Sequence, residues 1–119
     1  MNLNECYTSF GGSLQEVLAR LASERLVAKF LRKFPEDTSF ATLCSALPSG
    51  DRDTAFRCAH NLKGLCLNLG FPRLLQSSSQ LTEALRPGTP YLQEQVDALL
   101  EQTRLDYHQV CEAISRLEF

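Results

Sequence analysis

Residues 51–70, DRDTAFRCAHNLKGLCLNLG, predict one long helix that the rest of the chain packs around. The helix follows a Pro-Ser-Gly breaker, and Asp51 is a favourable N-cap. Asp53 in the first turn suits the positive end of the helix dipole. We carry the helix to about Leu69, because a glycine and then a proline come shortly after it.

One face of this helix is apolar. At roughly 100° per residue, a single stripe is formed by Ala55, Cys58, Ala59, Leu62, Leu65, Cys66 and Leu69. Such a stripe is typical of the face that packs into a core. His60 lies roughly 160° from the middle of the stripe. A lone histidine in an apolar segment is usually structural, but this position predicts an imidazole that solvent reaches.

Turn signals divide the remainder into segments of helical length, and no stretch alternates apolar and polar residues as a strand does. The other predicted helices span roughly 11–21 with Ser13 as N-cap, 24–34 before Pro35, 38–47, 72–86, and Thr89-Pro90 to the C-terminus. Long helices joined by short turns pack as antiparallel neighbours. We therefore predict an all-α fold, an antiparallel up-and-down four-helix bundle with one or two additional short N-terminal helices, in one domain over residues 1–119.

Composition excludes several functional classes. A chain of 119 residues can bury a core in one domain. Its formal net charge of −2 argues against binding nucleic acid, which needs a concentrated basic surface. No apolar run is long enough for a membrane helix, and the N-terminus MNLNECYTSF lacks a signal-peptide pattern. We expect a cytoplasmic monomer.

Five cysteines at irregular spacings, with no CxxC motif, indicate reduced thiols rather than disulfides. Cys58 and Cys66 are best interpreted as small apolar core residues. A zinc site that includes His60 is the alternative, but on a helix His60 points away from both cysteines. We therefore predict no metal on this chain.

The neighbours of His60 favour a functional interpretation. Gly64 lies one turn later on nearly the same line, where a mid-helix glycine costs about 1 kcal/mol relative to alanine. It serves either close helix packing or clearance for a partner or a phosphoryl group. Lys63 can reach an anion on the imidazole. Phe56 and Leu67 flank His60 as a predicted apolar docking patch, although Phe56 could instead tuck against the third helix.

The stretch AHNLKGLCLNLG closely resembles the signature of the histidine-containing phosphotransfer (HPt) domain, AHxLKG followed by an NLG-type turn. The resemblance extends more weakly to the acidic cap before this helix and to LTEAL at the end of the next one. It implies a phosphorelay intermediate in two-component signal transduction. His60 would be the phosphoacceptor, Lys63 would neutralise the phosphoryl charge, and Gly64 would provide clearance. The implied partners are a response-regulator receiver domain and a hybrid sensor histidine kinase.

An imidazole nucleophile benefits from a hydrogen-bond acceptor on its second ring nitrogen. In a hairpin that turns near residue 70, the positions opposite His60 are about 79–83, so we predict Gln80 or Thr82 as support, with Glu83 also in range. The chain lacks a GxxxxGK[ST] loop, a kinase glycine loop and an acidic cluster for magnesium. We therefore predict a phosphocarrier rather than an enzyme, with no ATP site and no cofactor, and with Mg²⁺ on the partner receiver domain.

Two other classes remain open. The first is a non-phosphorylated adaptor, a helical bundle that binds a signalling protein through the His60 face. The second is a small hydrolase with His60 as general base, which needs an orienting carboxylate and a concave pocket. Asp53, two turns away, is too distant for that role. The second histidine, His108, is predicted to be an ordinary surface residue.

Overall fold

A computed structural model describes residues 1–118 of the chain and shows an all-helical fold, which confirms the predicted class. The helices are α1 (Leu3–Ser9), α2 (Leu14–Leu21), α3 (Glu24–Lys33), α4 (Ser39–Ala46), α5 (Arg52–Leu69), α6 (Pro72–Leu85) and α7 (Gln93–Ser115). A single 3₁₀ turn, Phe34–Glu36, follows α3. No strand occurs within residues 1–118.

Helix α5 is the element on which the other helices converge. It packs against α2, α3, α4 and α6, and α6 in turn packs against α7. Its buried residues are Ala55, Ala59, Leu62, Cys66 and Leu69, while Cys58 and Leu65 are half-buried. The predicted apolar stripe is therefore the face that enters the core.

The turn between α5 and α6 is made by a glycine in the left-handed conformation. Gly70 has φ 78° and ψ 51°, and its N–H donates to the carbonyl of Cys66 at 2.9 Å. The N–H of Phe71 donates to the same carbonyl at 3.0 Å. Phe71 is fully buried, and its ring contacts Phe10 and Phe34 edge to face. This turn therefore ends α5 and anchors the start of α6 in one aromatic cluster.

The last carbonyls of α5 are satisfied by the N-terminal helices. The hydroxyl of Tyr7 in α1 donates to the carbonyl of Leu69 at 2.7 Å. The guanidinium of Arg20 in α2 donates to the carbonyls of Leu67 and Asn68 at 3.1 and 3.2 Å. Helix ends leave such carbonyls without intrahelical partners. The N-terminal segment thus caps the helix that carries His60.

Helix α1 was not among the predicted helices. Its seven residues are too short for a clear periodic signal. Asn2 and Glu5 form a reciprocal capping box at its start. Cys6 and Tyr7 are fully buried, and Phe10 just beyond the helix is 1% exposed. Such a short helix depends on this packing rather than on intrinsic propensity.

The predicted start of the last helix at Thr89-Pro90 is wrong, because α7 begins at Gln93. The guanidinium of Arg52 holds the preceding segment as a loop, donating to the carbonyls of Leu85, Arg86 and Thr89 at 3.0, 2.7 and 2.6 Å. It also lies 5.4 Å from the ring centroid of Tyr91. The end of α7 also differs from the prediction, since the helix stops at Ser115 and the final residue of the chain lies outside the described residues.

The other boundaries agree closely with the sequence. Ser13 is the N-cap of α2, and its hydroxyl accepts from the N–H of Glu16 at 3.4 Å. Helix α3 ends where Pro35 enters the 3₁₀ turn. Thr38 precedes α4 but makes no side-chain cap; instead a carboxylate oxygen of Asp37 accepts from the N–H of Ser39 at 2.9 Å.

All five cysteines are free thiols, and Cys6 and Cys66 are fully buried. Burial raises the pKa of Cys6 to about 11 and raises the pKa of Cys66 further. Within residues 1–118, no cluster of three or more histidine, cysteine, aspartate or glutamate side chains could hold a metal ion, so the zinc alternative has no structural support. In the same part of the chain, no helix is sufficiently long and apolar to span a membrane.

Replacing Gly70 by alanine should destabilise the fold strongly. The left-handed backbone costs roughly 1–2 kcal/mol with a side chain, and an added Cβ would collide with Cγ2 of Val17. Overpacking adds roughly 1–3 kcal/mol. The matched control is Gly50→Ala, since Gly50 also has φ +78° but nothing lies within 4 Å of its added Cβ. Urea unfolding should show the larger loss for Gly70→Ala, and equal losses would contradict this account of the turn.

Candidate functional site

The side of α5 that faces away from the core is a continuous exposed stripe. Its members recur at every turn of the helix: Asp53, Arg57, His60, Asn61, Gly64, Leu67 and Asn68. No neighbouring helix covers this line of residues, although four helices pack on the other side of α5. The prediction that His60 is reached by solvent is confirmed.

Gly64 leaves open space one helical turn beyond His60. A Cβ built at this position would meet nothing within 4 Å. Close packing against another helix therefore does not explain the glycine. The remaining interpretation is that the missing side chain leaves clearance for a partner or a phosphoryl group.

The imidazole of His60 lies over an aromatic ring. The ring centroids of His60 and Phe56 are 6.3 Å apart, with an interplanar angle of 27°. The guanidinium carbon of Arg86, just beyond α6, lies 5.2 Å from the centroid of the same Phe56 ring. Phe56 is half-buried as a result, so only part of the predicted docking residue is available to a partner.

Arg86 is held in place by Glu83. Its guanidinium donates to both carboxylate oxygens of Glu83, at 2.9 and 2.8 Å. This hydrogen-bonded pair is the main cause that lowers the pKa of Glu83, and the charges of Lys63 and His60 lower it further. Those two contributions show that Glu83 belongs to the electrostatic surroundings of His60. The sequence placed Glu83 in range of His60 but gave no signal for the link through Arg86 and Phe56.

Lys63 is half-buried and has no ion pair within residues 1–118. Several arginines elsewhere are paired with acidic side chains three or four residues away. An ammonium group one turn from His60 is thus left to interact with an anion in solvent or on a partner. Lys63 and Gly64 lie three and four residues after His60, so both neighbour the imidazole on the helix surface.

Asn61 links the site to α4. Its side-chain amide donates to the hydroxyl of Ser39 at 2.6 Å, and the N–H of Ser39 donates to Asp37. Ser39 is the first residue of α4. The contact therefore ties the start of α4 to the turn of α5 that presents His60. Sequence reasoning missed it, because the two residues are far apart in the chain.

The two residues predicted to support the imidazole lie elsewhere. Thr82 is fully buried, and its hydroxyl donates to the carbonyl of Ser78 at 2.6 Å. Gln80 lines surface grooves between α6 and α7, together with residues such as Leu99 and Gln102. Within residues 1–118, His60 makes no hydrogen bond. Support of the imidazole by either side chain therefore stays a prediction without a hydrogen bond behind it.

Towards the C-terminal end of the stripe, Leu67 is open to solvent. Leu67 is 60% exposed, which leaves it accessible as part of a docking surface. Its role in docking stays a prediction.

His108 is exposed on α7, where its ring contacts Phe40 and Tyr107 edge to face. It lies outside the exposed stripe of α5, as expected for an ordinary surface residue.

This arrangement favours group transfer at an open surface over hydrolysis within the chain. The imidazole has a free approach, a nearby cation and empty space one turn away. A histidine general base needs an orienting partner, and the described residues provide no hydrogen bond to His60. The hydrolase alternative therefore has no support, whereas a phosphocarrier and an adaptor both fit an exposed face.

Comparison with known proteins gives one match. The family model described as "Hpt domain" matches residues 25–106, well over half of the chain. The matched segment runs from α3 into α7 and includes the whole exposed stripe of α5. No curated protein and no solved structure matches the chain.

Replacing Gly64 by alanine should stabilise the fold. Alanine gains about 1 kcal/mol over glycine inside a helix, and nothing lies within 4 Å of the added methyl group. Urea unfolding monitored by circular dichroism measures the change in the free energy of unfolding. A loss of stability in Gly64→Ala would mean that the glycine serves packing within the chain.

Proposed function

The chain belongs to the Hpt domain family, and we propose on this basis that it carries a phosphoryl group on His60 between receiver domains of a two-component relay. Members of this family are phosphocarrier modules that interact with receiver domains and kinases. The observation that carries the proposal is the position of His60 on the exposed stripe of α5, beside an unpaired Lys63 and the open space at Gly64. A response-regulator receiver domain and a hybrid sensor histidine kinase are the proposed partners.

Transfer begins when the unprotonated ring nitrogen of His60 attacks the phosphorus of an aspartyl phosphate on the receiver. A nitrogen–phosphorus bond forms, the bond from phosphorus to the carboxylate oxygen breaks, and the aspartate leaves as a free carboxylate. The other ring nitrogen keeps its proton during the attack. Passing the group to a second receiver reverses these steps.

Lys63 and Gly64 serve this reaction in different ways. The ammonium of Lys63 offsets negative charge on the phosphoryl oxygens, as a positioned cation does in other phosphoryl transfers. The bare backbone at Gly64 lets the receiver approach α5 without meeting a side chain. Both groups act only when the partner is present, which agrees with the absence of an ion pair at Lys63 within residues 1–118.

Phe56 and Arg86 are proposed to position the imidazole. The ring of Phe56 contacts both the imidazole of His60 and the guanidinium of Arg86. Glu83 holds that guanidinium by two hydrogen bonds. This arrangement replaces the support first assigned to Gln80 and Thr82, and it acts on the ring face rather than on the second ring nitrogen.

The reactive aspartate and its Mg²⁺ are proposed to belong to the receiver. No metal-binding cluster is present within residues 1–118, and α5 contributes no acidic group beside His60. The scaffold for this exchange is proposed to be an antiparallel four-helix bundle of α4 to α7. In its support, α4 packs on α5, α5 on α6 and α6 on α7. Phe40 of α4 stacks on Tyr107 of α7, with centroids 4.2 Å apart, and so closes the ring.

The adaptor remains the second candidate, since Leu67 and the rest of the exposed stripe could bind a signalling protein without phosphorylation. Replacing His60 by glutamine separates the adaptor from the phosphocarrier. An adaptor that needs no phosphate keeps its binding and its downstream effect in this variant. A phosphocarrier keeps binding but loses transfer.

Mixing the protein with a phosphorylated receiver domain should add one acid-labile phosphate to the wild type and none to His60→Gln. Of the side chains on the exposed stripe, the imidazole has the nitrogen that is nucleophilic near neutral pH, because the guanidinium of Arg57 stays protonated. Intact-mass spectrometry at neutral pH measures the gain.

His108→Gln is the matched control and should accept phosphate as the wild type does. Lys63→Gln should still accept it, but roughly tenfold more slowly, because the lost charge interaction is worth about 1.4 kcal/mol. Phosphate gained by His60→Gln, or no transfer to the wild type from several receivers despite binding, would reject the proposal in favour of the adaptor.

A further inference from the structure

Helix α3 carries a concentrated positive charge that the His60 site does not use. Arg25, Lys29, Arg32 and Lys33 are spaced so that they share one face of the helix. This ten-residue helix holds four of the twelve basic residues of a chain whose net charge is −2. The cationic face is therefore a local feature and not a reflection of overall composition.

Three of these cations have no acidic partner among the described residues. The five ion pairs found within residues 1–118 join acids to the N-terminus, Arg57, Arg86, Arg104 and Arg116, and none involves Arg25, Lys29 or Lys33. Among residues 1–118, the acidic side chain that lines the adjacent groove is Glu118, which lies 3.1 Å from the N-terminal ammonium group of Met1. Glu24, at the start of α3, lies in the first turn, where it suits the helix dipole.

The cations border a groove with an apolar floor. The groove has a volume of about 860 Å³ and lies between α3 and the two ends of the described chain. Leu3, Leu26 and Leu117 form its apolar lining, and each is half-buried rather than protruding. None of the residues of the exposed α5 stripe lines it. It is therefore a surface separate from the proposed phosphotransfer site.

We propose that this groove docks an acidic amphipathic helix of a partner protein. The leucines at the floor accept the apolar side chains of that helix, and Arg25, Lys29 and Lys33 pair with aspartate or glutamate along its edges. This is the usual way in which an amphipathic helix binds a groove, with apolar anchors inside and complementary charge around them. The proposal does not rest on phosphate transfer at His60. It gives the chain a second contact by which to select its partner.

The geometry favours a protein helix over a membrane or a nucleic acid. A membrane-binding helix inserts protruding apolar side chains into the lipid, whereas these leucines lie recessed. Single-stranded nucleic acids stack their bases on aromatic rings, and no aromatic ring from residues 1–118 lines the groove. The cationic face is also short, about 15 Å along a ten-residue helix, which matches a few turns of a peptide.

The test uses a fluorescein-labelled synthetic peptide whose helix carries leucines on one face and glutamates on its edges. Fluorescence anisotropy should show saturable binding to the wild-type protein that weakens as salt rises. Lys29→Glu/Lys33→Glu should weaken binding at least about tenfold, equivalent to about 1.4 kcal/mol. A peptide with glutamine in place of glutamate, and a scrambled peptide of the same composition, should both bind much more weakly.

Arg73→Glu/Arg104→Glu is the matched control, because it changes the net charge equally at positions that neither line the groove nor belong to the exposed α5 stripe. It should bind within about twofold of the wild type. Circular dichroism checks that each variant is folded. If Lys29→Glu/Lys33→Glu unfolds, Lys29→Gln/Lys33→Gln takes its place. Equal binding by the wild type and the folded groove variants would overturn the proposal. So would binding to phosphatidylserine vesicles without binding to the peptide.

His60→Gln should bind the peptide as the wild type does. The phosphotransfer proposal and the groove proposal can then fail separately, because a variant that cannot accept phosphate at residue 60 still has an unchanged groove. Loss of peptide binding in His60→Gln would show that the peptide contacts the α5 stripe, and would contradict a separate groove site.

Discussion

The division of α5 between a buried face and an exposed face is the constraint on which the site depends. Four helices pack against one side of α5, and small or branched apolar residues fill that side. Because those contacts set the rotation of the helix, the opposite face is left in solvent with His60 near its middle. A rotation that buried the imidazole would also bring Asp53 and Asn68 towards the core, where unpaired polar groups are costly. The packing of the core therefore determines what the surface presents.

Both ends of α5 are held by residues distant in the chain. Arg52 binds three carbonyls of the loop before α7, while Tyr7 and Arg20 bind carbonyls at the other end. The left-handed Gly70 then reverses the chain so that α6 returns alongside. These contacts hold both ends of α5 against neighbouring elements. In the proposed transfer this fixed position matters, because the imidazole must meet its partner in a narrow range of geometries.

The open surface around His60 also limits what the chain can do alone. Phe56 contacts the imidazole and Arg86, and Glu83 holds Arg86, but no described group hydrogen-bonds to the imidazole. In the proposed relay, a partner supplies the remaining groups. The cationic groove on α3 is proposed to hold a partner through a second contact. Two linked contacts raise the effective concentration of one surface at the other.

Sequence periodicity predicted most of α5, because a stripe repeating every three or four residues directly reports which face is buried. The sequence therefore predicted that His60 is exposed and that α5 begins after Asp51 and ends before Gly70. It was a weaker guide for Thr82 and Gln80, which make no hydrogen bond to His60 within the described residues. Counting residues from a turn gives height along a neighbouring helix but not the rotation of that helix.

The other failures also concern contacts between distant parts of the chain. Helix α1 is too short to show a period and depends on packing of its buried residues. The start of α7 depends on Arg52, whose partner Thr89 is 37 residues away in the chain. The contact of Arg86 with Phe56 is of the same kind. No local pattern encodes these interactions, because each requires the tertiary fold to bring its partners together.

The most direct test of the central claim is to find which atom accepts phosphate without any partner protein. Phosphorus-31 NMR of the protein treated with phosphoramidate, a small nitrogen-linked phosphoryl donor, reports the phosphohistidine directly. The account predicts one phosphohistidine signal in the wild type and in His108→Gln, and none in His60→Gln. A signal that persists in His60→Gln would contradict the assignment of His60 as the reactive group on the exposed face of α5.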